Sequence, residues 1–209
     1  MSRKFSSLLE NTGHLFGVSF KPGAFFPFLK GPVSVLTDTS LSLFDAFGME
    51  YKALEETILS QENEAGMIAL VEQFLRERLP ERDEHVILIN EMVDRIRVDR
   101  EITRVDHLVS RFHISKRTLQ RLFSHYVGVS PKWAINRYRL QEAAERVVES
   151  EAVDWSKLAV DLGYFDQSHF INDFKLIIGK TPAEYVKHVR SGPSSFLTCD
   201  VLRKVNSRR

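Results

Sequence analysis

The stretch SKRTLQRLFSHYVGVSP at 115–131 decides the fold, because DQSHFINDFKLIIGKTP at 166–182 repeats its pattern. The matched pairs, all 51 residues apart, are Ser115 and Asp166, Leu119 and Phe170, Phe123 and Phe174, Gly128 and Gly179, and Pro131 and Pro182. Before the turn the match continues at an offset of 50, with Val109 on Ala159 and Phe112 on Leu162. The repeat predicts one supersecondary unit present twice, with one extra residue in the second turn.

Each copy has the pattern of a helix-turn-helix. A short apolar helix is predicted over 105–112 and over 155–162, and a second helix begins at Ser115 or Asp166, whose side-chain oxygen caps free backbone N–H groups. A glycine ends this second helix, and a proline opens the next helix. The residues expected to face the core are Leu119, Leu122 and Phe123 in one copy and Phe165, Phe170 and Phe174 in the other.

The outward faces of the second helices are the candidate reading surfaces. In the first copy this face carries Lys116, Arg117, Thr118, Gln120 and Arg121, which suit phosphates and purine edges. An ordinary basic helix surface is the alternative. In the second copy it carries Gln167, Ser168, His169, Ile171 and Asn172, which are less basic, so we expect this copy to be the weaker reader. Asp173 is expected to point sideways toward the scaffold.

The segment PKWAINRYRLQEAAERVVES at 131–150 is expected to form the helix that joins the two units. Its inner stripe is Ile135, Tyr138 or Leu140, Ala143 and Val147. Arg137 and Arg139 are expected to reach the DNA backbone, and Arg137 and Lys175 complete the set of predicted DNA-binding residues. A rigid joining helix would hold the two reading helices about 34 Å apart, one turn of DNA.

These motifs resemble the AraC/XylS family of bacterial transcription regulators. SKRTLQRLF, VGVSP, RYRLQEA, LAVDLGYFDQSHF and GKTP follow one another in that family's order and spacing, within residues 86 to 190. The resemblance implies a DNA-binding domain of seven helices. It also implies base-facing positions at Arg117, Gln120 and Arg121 in the first unit, and at Gln167, Ser168, Ile171 and Asn172 in the second. Asn172 departs from the arginine that is frequent in this family.

The N-terminal part is predicted to be a small α+β domain. Residues 14–49 have Phe- and Val-rich runs broken by Pro and Gly, which indicates short strands and turns, and residues 49–79 indicate two helices interrupted near QENEAG. FKPGAFFPFLKGPVSVLTD at 20–38 is similar to the end of the N-terminal domain in one AraC-type subgroup. That resemblance implies further strands ahead, so we expect either a naturally shortened regulator or a start site chosen too late.

The predicted fold is therefore mainly α, with three parts. Residues 1–82 form an α+β regulatory or dimerisation domain, an incomplete cupin-like remnant; residues 83–190 form the AraC-type DNA-binding domain; and residues 191–209 form a basic tail. Residues 1–99 carry 10 Lys or Arg against 16 Asp or Glu, whereas residues 100–209 carry 19 against 12. A basic half is typical of a nucleic-acid module, although uneven solvated charge gives the same numbers.

Motifs of catalysis and metal binding are missing from the sequence. HExxH, GxSxG, phosphate-loop and dinucleotide patterns are absent, and the single cysteine, Cys199, has no obvious activating partner. We therefore predict no enzyme, no metal and no cofactor. The expected partners are double-stranded DNA and RNA polymerase, with no identified effector, no membrane, and a bacterial cytoplasmic, nucleoid-associated location.

Two other functions are compatible with the sequence. Ile68, Val71, Leu75 and Leu79 lie near coiled-coil spacing, so residues 52–79 either form a homodimer surface or pack on their own domain. A protein-interaction module that titrates a longer regulator would need only that surface, but it would not need the basic face at 116–121. Sequence-independent DNA binding would rest on phosphate contacts alone, and the amide side chains at base-facing positions argue against it.

Overall fold

The computed structural model describes residues 16–29, 31–79, 81–149 and 153–191, and within these residues it is helical, without strands. The helices are α1 Phe26–Leu29, α2 Leu43–Phe47, α3 Glu50–Leu59, α4 Glu64–Arg76, α5 Glu84–Val98, α6 Val105–Phe112, α7 Lys116–Tyr126, α8 Pro131–Glu149, α9 Trp155–Asp161, α10 Gln167–Ile178 and α11 Pro182–Ser191, with a 3-10 turn at Val33–Leu36. Cys199 and the predicted tail from 192 onward lie outside the described residues.

The strands expected within residues 14–49 are the main error of the sequence analysis. Over residues 16–29 and 31–49 the chain instead forms α1, the 3-10 turn and α2. The prolines here lack the backbone N–H that a strand ladder needs, and the glycines weaken a strand because they have no side chain to pack. The phenylalanines cluster with one another instead, as Phe20 does with Phe25 at 5.1 Å between ring centroids. The α+β description is therefore wrong for these residues.

The two helices expected within residues 49–79 are confirmed as α3 and α4, which pack against each other. The break falls within QENEAG, where the Asn63 side chain accepts a hydrogen bond from the Gly66 N–H at 2.8 Å and so caps α4. Phe74 of α4 packs edge-on against Phe47 of α2, with 5.5 Å between the ring centroids.

The N-terminal segment packs directly against the first helix-turn-helix unit. Phe26 of α1 packs on Tyr126 at the end of α7, with 4.3 Å between ring centroids, and the Thr37 hydroxyl donates a hydrogen bond to the Gly128 carbonyl. Gly128 has φ +83°, and a Cβ there would lie 2.9 Å from the Val33 carbonyl oxygen, so only glycine allows this close approach. The segment around α1 and the 3-10 turn is thus packed against the end of α7.

The predicted seven-helix domain is confirmed as α5 to α11. It contains two hydrophobic cores, and α8 takes part in both. Ala134 and Ile135 of α8 join the core beneath α5, α6 and α7, whereas Leu140, Ala143 and Val147 join the core beneath α9, α10 and α11. Of the predicted inner stripe, Tyr138 is only partly buried and Leu140 is fully buried, so Leu140 takes the core position.

Residue chemistry explains where the helices of both units begin and end. The Ser115 hydroxyl accepts a hydrogen bond from the Thr118 N–H at 3.0 Å, and the Asp166 carboxylate accepts one from the His169 N–H at 2.7 Å, which confirms both caps. Pro131 and Pro182 begin α8 and α11, as predicted. Gly179 ends α10 in the left-handed conformation, at φ +85°.

The two turns share one backbone feature. His113 follows α6 in the left-handed region at φ +52°, and Gly163 occupies the matching place in the second unit at φ +70°. Gly163 also lies close to other elements, since a Cβ there would be 3.1 Å from Cγ2 of Thr103 and 3.4 Å from Nη2 of Arg139. A side chain at this position would therefore strain the backbone and push against two neighbours.

We expect Gly163→Ala to lower the free energy of unfolding by about 1–3 kcal/mol, because a non-glycine residue in the left-handed region is strained. Urea denaturation followed by circular dichroism measures this. Gly17→Ala is the matched control, since a Cβ at Gly17 meets nothing within 4 Å and its φ lies outside the left-handed region. Equal stability of the two variants would contradict the assignment of strain to the second turn.

Candidate nucleic-acid interface

Helix α7 has a buried face and a face of polar side chains. Leu119 and Phe123 are fully buried, which turns the opposite side of the helix to solvent. Four of the five predicted reading residues on α7 are exposed, namely Lys116, Arg117, Gln120 and Arg121. The fifth, Thr118, is half-buried, and its hydroxyl lies 2.9 Å from the Ser115 hydroxyl, so it contributes to the cap. The structure therefore groups three cations and one amide on one surface.

Lys116 forms an ion pair with Asp106 of α6 at 3.6 Å, but 59% of the Lys116 side chain and 71% of the Asp106 side chain remain exposed. Ion pairs as exposed as this one contribute at most about 1 kcal/mol. A phosphate oxygen could therefore replace the carboxylate at little cost.

Helix α10 presents a less basic polar surface than α7. Ser168, His169, Asn172 and Lys175 are exposed. Gln167 is half-buried, and its side-chain oxygen accepts a hydrogen bond from the Ser156 hydroxyl at 2.9 Å. Ile171 is half-buried too, because it packs against the second core. Two of the five residues predicted to face outward on this helix are thus partly engaged within the protein.

Asp173 of α10 turns toward the scaffold, as expected. Its carboxylate accepts a hydrogen bond from Nδ2 of Asn136 at 3.0 Å, which ties α10 to α8. The carboxylate is therefore satisfied within the protein.

Arg139 does not occupy the exposed place that the sequence suggested. It is half-buried, with its guanidinium carbon 4.4 Å from the centroid of the Tyr164 ring, and Nη1 donates to the Thr103 carbonyl at 3.5 Å. Burial lowers the pKa of Arg139, and Tyr164, Asp173 and Glu142 oppose that shift. Burial also raises the pKa of Tyr164, which Arg139 partly offsets. Arg139 thus fastens the second turn to α8, while Arg137, also on α8, is half-buried.

A cleft of about 330 Å³ lies between the two units. Its lining includes the beginning of α6, Lys116 of α7, the first two turns of α8, the second turn at 163–165, and His169 and Asp173 of α10. It therefore brings together the N-terminal parts of both reading helices. Arg104 and Lys132 also line the cleft and are not among the DNA-binding residues predicted from the sequence.

Phe165 was predicted to face the core, and this prediction is wrong, because 94% of the residue is exposed at the rim of the cleft. The neighbouring Tyr164 takes the core position instead and is only 7% exposed. The sequence did carry a signal for this exposure, namely the extra residue in the second turn. A turn with one more residue than the first turn must place one side chain differently.

The described residues were predicted to hold no metal site and no membrane-spanning segment. No group of three or more His, Cys, Asp or Glu side chains that could hold a metal ion occurs in the part of the chain that the structure describes. In the same part, none of the helices combines the length and apolar character needed to cross a membrane.

Comparison with known proteins identifies the C-terminal part. A family described as "Helix-turn-helix domain" matches residues 108–188, and one described as "Domain of unknown function (DUF6597)" matches residues 1–42. The transcriptional activator RhaS of an Escherichia coli strain is 32% identical over 92 residues, which are 44% of this chain and 31% of the relative. RhaS of Pectobacterium carotovorum is 32% identical over 75 residues, which are 36% of this chain and 26% of that relative.

The solved structure of a protein of unknown function from Listeria innocua is 31% identical, with the match covering 40% of this chain and 79% of that chain at a TM-score of 0.37. The chain spans about a third or less of the length of the curated relatives it matches. Residues 108–188 are a helix-turn-helix domain of the AraC/XylS type.

The hydrogen bond between Asn136 and Asp173 should be measurable as a coupling between α8 and α10. We expect Asn136→Ala and Asp173→Ala each to lower stability, with a coupling free energy of about 1 kcal/mol in a double-mutant cycle, because each variant leaves the other partner unsatisfied. Urea denaturation of the four proteins measures it. Strictly additive losses would show that the two side chains do not interact.

Proposed function

We propose that this protein is a transcriptional regulator that binds a specific duplex site by placing α7 and α10 in two successive major grooves. The observation that carries the proposal is that two capped reading helices with exposed polar side chains are joined by α8, whose residues are buried in both cores. A helix buried at both of its ends holds the two units at one spacing. Rigid spacing is what binding to two major-groove segments on one face of DNA requires.

The side chains of α7 supply most of the base readout in this proposal. Arg117 and Arg121 are exposed and suit guanine, which accepts two hydrogen bonds from one guanidinium, and Gln120 suits adenine. Lys116 contacts a phosphate. Thr118, bonded to Ser115, positions the beginning of the helix.

The second helix reads fewer bases. Ser168, His169 and Asn172 are exposed and donate or accept at base edges, and Lys175 contacts a phosphate. Gln167 and Ile171 are partly engaged within the protein, so their contribution is smaller. Arg137 on α8 contributes to the backbone contacts of the whole domain.

Selection of preferred sites from random duplex DNA, at near-physiological salt, tests the proposal. Two short enriched blocks about one helical turn apart are expected, because each unit reads one major-groove segment. Binding without any enriched sequence would refute sequence-specific recognition and would leave phosphate contacts as the source of affinity.

Arg121→Ala should weaken binding to the selected site by about 1–3 kcal/mol, because one bidentate base contact is lost. Gln167→Ala should weaken it less, since that amide is engaged by Ser156. Fluorescence anisotropy with labelled duplex measures both constants. If Arg121→Ala bound as tightly as the wild type, Arg121 would not be a base-reading residue.

The regulatory outcome we propose is activation in the bacterial cytoplasm, with RNA polymerase as the partner at the promoter. Its support is that the curated RhaS relatives are named as transcriptional activators. Transcription in vitro from a promoter that carries the selected site, with and without the protein, distinguishes activation from repression.

A homodimer through residues 52–79 also belongs to the proposal. Ile68 and Leu79 of the predicted stripe are 49% and 65% exposed, so part of that stripe is not covered by the rest of the described chain. Two-fold symmetric dimers are the commonest homo-oligomers of soluble proteins.

Ile68→Glu should shift the protein from dimer to monomer, because a carboxylate at an apolar interface must be desolvated. Sedimentation velocity measures the mass. Val160→Glu, which changes a 65% exposed residue outside the stripe, is the control and should leave the mass unchanged. A wild-type protein that is monomeric at every concentration tested would rule out this dimer.

A further inference from the structure

Phe165 is the most exposed large apolar side chain among the described residues, at 94%, and Met49 follows at 71%. Burial of a phenylalanine is worth about 1.5–3 kcal/mol, so the folded protein forgoes this contribution at Phe165. A single exposed apolar residue is common on protein surfaces. The position of Phe165 in the turn and the residues around it indicate that its exposure serves a function.

The fold itself does not require Phe165. The left-handed residues of the two turns, His113 and Gly163, are 50 residues apart, whereas the caps Ser115 and Asp166 are 51 apart. Ile114 follows the left-handed residue of the first turn and packs against the first core. Tyr164 follows the left-handed residue of the second turn and lies in the second core. Phe165 is therefore the extra residue of the second turn, without a counterpart in the first.

The side chain is placed where the two units meet. Phe165 directly precedes Asp166, the cap of α10, so it lies at the N-terminal end of that helix. It also lines the cleft together with Lys116, which begins α7. The cleft thus opens between the N-terminal ends of the two reading helices.

The charges around the cleft favour a polyanion as the occupant. Arg104, Lys116 and Lys132 line it and are exposed. Of its two carboxylates, Asp106 is paired with Lys116 and Asp173 is bonded to Asn136. An apolar protein segment would gain little from these three cations, whereas a DNA backbone would pair its phosphates with them beside Phe165.

If the proposed function is correct, the geometry of DNA determines which of its grooves faces this cleft. When two helices enter successive major grooves on one face of B-DNA, the minor groove lies between them on that face. Apolar side chains such as Phe that enter a minor groove partly unstack a base step and bend the duplex.

We propose that Phe165 is a DNA-contacting residue that inserts into the minor groove between the two major-groove segments and partly unstacks one base step there. Arg104, Lys116 and Lys132 hold the flanking phosphates. A pyrimidine–purine step at the centre of the site is preferred, because such steps unstack most readily.

The test uses the full chain and a duplex carrying the selected site, with 2-aminopurine at the central step. Wild-type protein should raise the fluorescence of 2-aminopurine, since unstacking relieves its quenching. Phe165→Ser should abolish that rise and weaken binding about tenfold, whereas Phe165→Trp should retain both. Leu176→Ser is the matched control, because Leu176 is 60% exposed on α10 and lies outside the cleft lining.

The variants are expected to fold, because Phe165 makes little contact with the rest of the protein, and thermal unfolding verifies this. A Phe165→Ser variant that binds with wild-type affinity and still raises the fluorescence would overturn the inference. So would a wild-type complex whose central step stays stacked. Failure of the proposed function would look different, since the wild-type protein would then select no site at all.

Discussion

The burial of α8 in two hydrophobic cores is the constraint on which the rest of the structure depends. Ile135 lies in the first core and Leu140 in the second, only five positions further along the same helix. Neither unit can rotate about α8 without exposing apolar surface, which costs about 25 cal/mol per Å². The packing of α8 therefore fixes the position of α7 relative to α10. As a result, the exposed residues of the two helices act as a single binding surface.

The second unit is attached to α8 by polar contacts as well. Arg139 lies over the Tyr164 ring, and Asn136 donates to Asp173, so two successive turns of α8 hold the second turn and α10. Side chains that serve this attachment are not free to contact bases. On α10 this applies to Asp173, and Gln167 is engaged by Ser156. The exposed residues of α10 are also less basic than those of α7, which is why we assign most of the base readout to the first unit.

The sequence predicted the domain of α5 to α11 well, because its determinants are local. Side-chain caps at Ser115 and Asp166 and prolines at the starts of helices act within one helical turn, so they can be read from neighbouring residues. The strands expected in residues 14–49 were wrong where the structure describes them. Strand formation depends on distant partners, and in the described residues the Phe-rich segment packs on the end of α7 and on itself.

The sequence by itself determined that one helix-turn-helix unit occurs twice, where its helices begin and end, and four of the five outward residues expected on α7, with Thr118 as the exception. Tertiary structure decided that Arg139 lies inward and that Phe165 lies outward. Arg139 lies inward because the ring of Tyr164 and the carbonyl of Thr103 are brought to α8 by the fold. Phe165 lies outward because the neighbouring Tyr164 takes the core position of the second turn, and Phe165 is the extra residue of that turn.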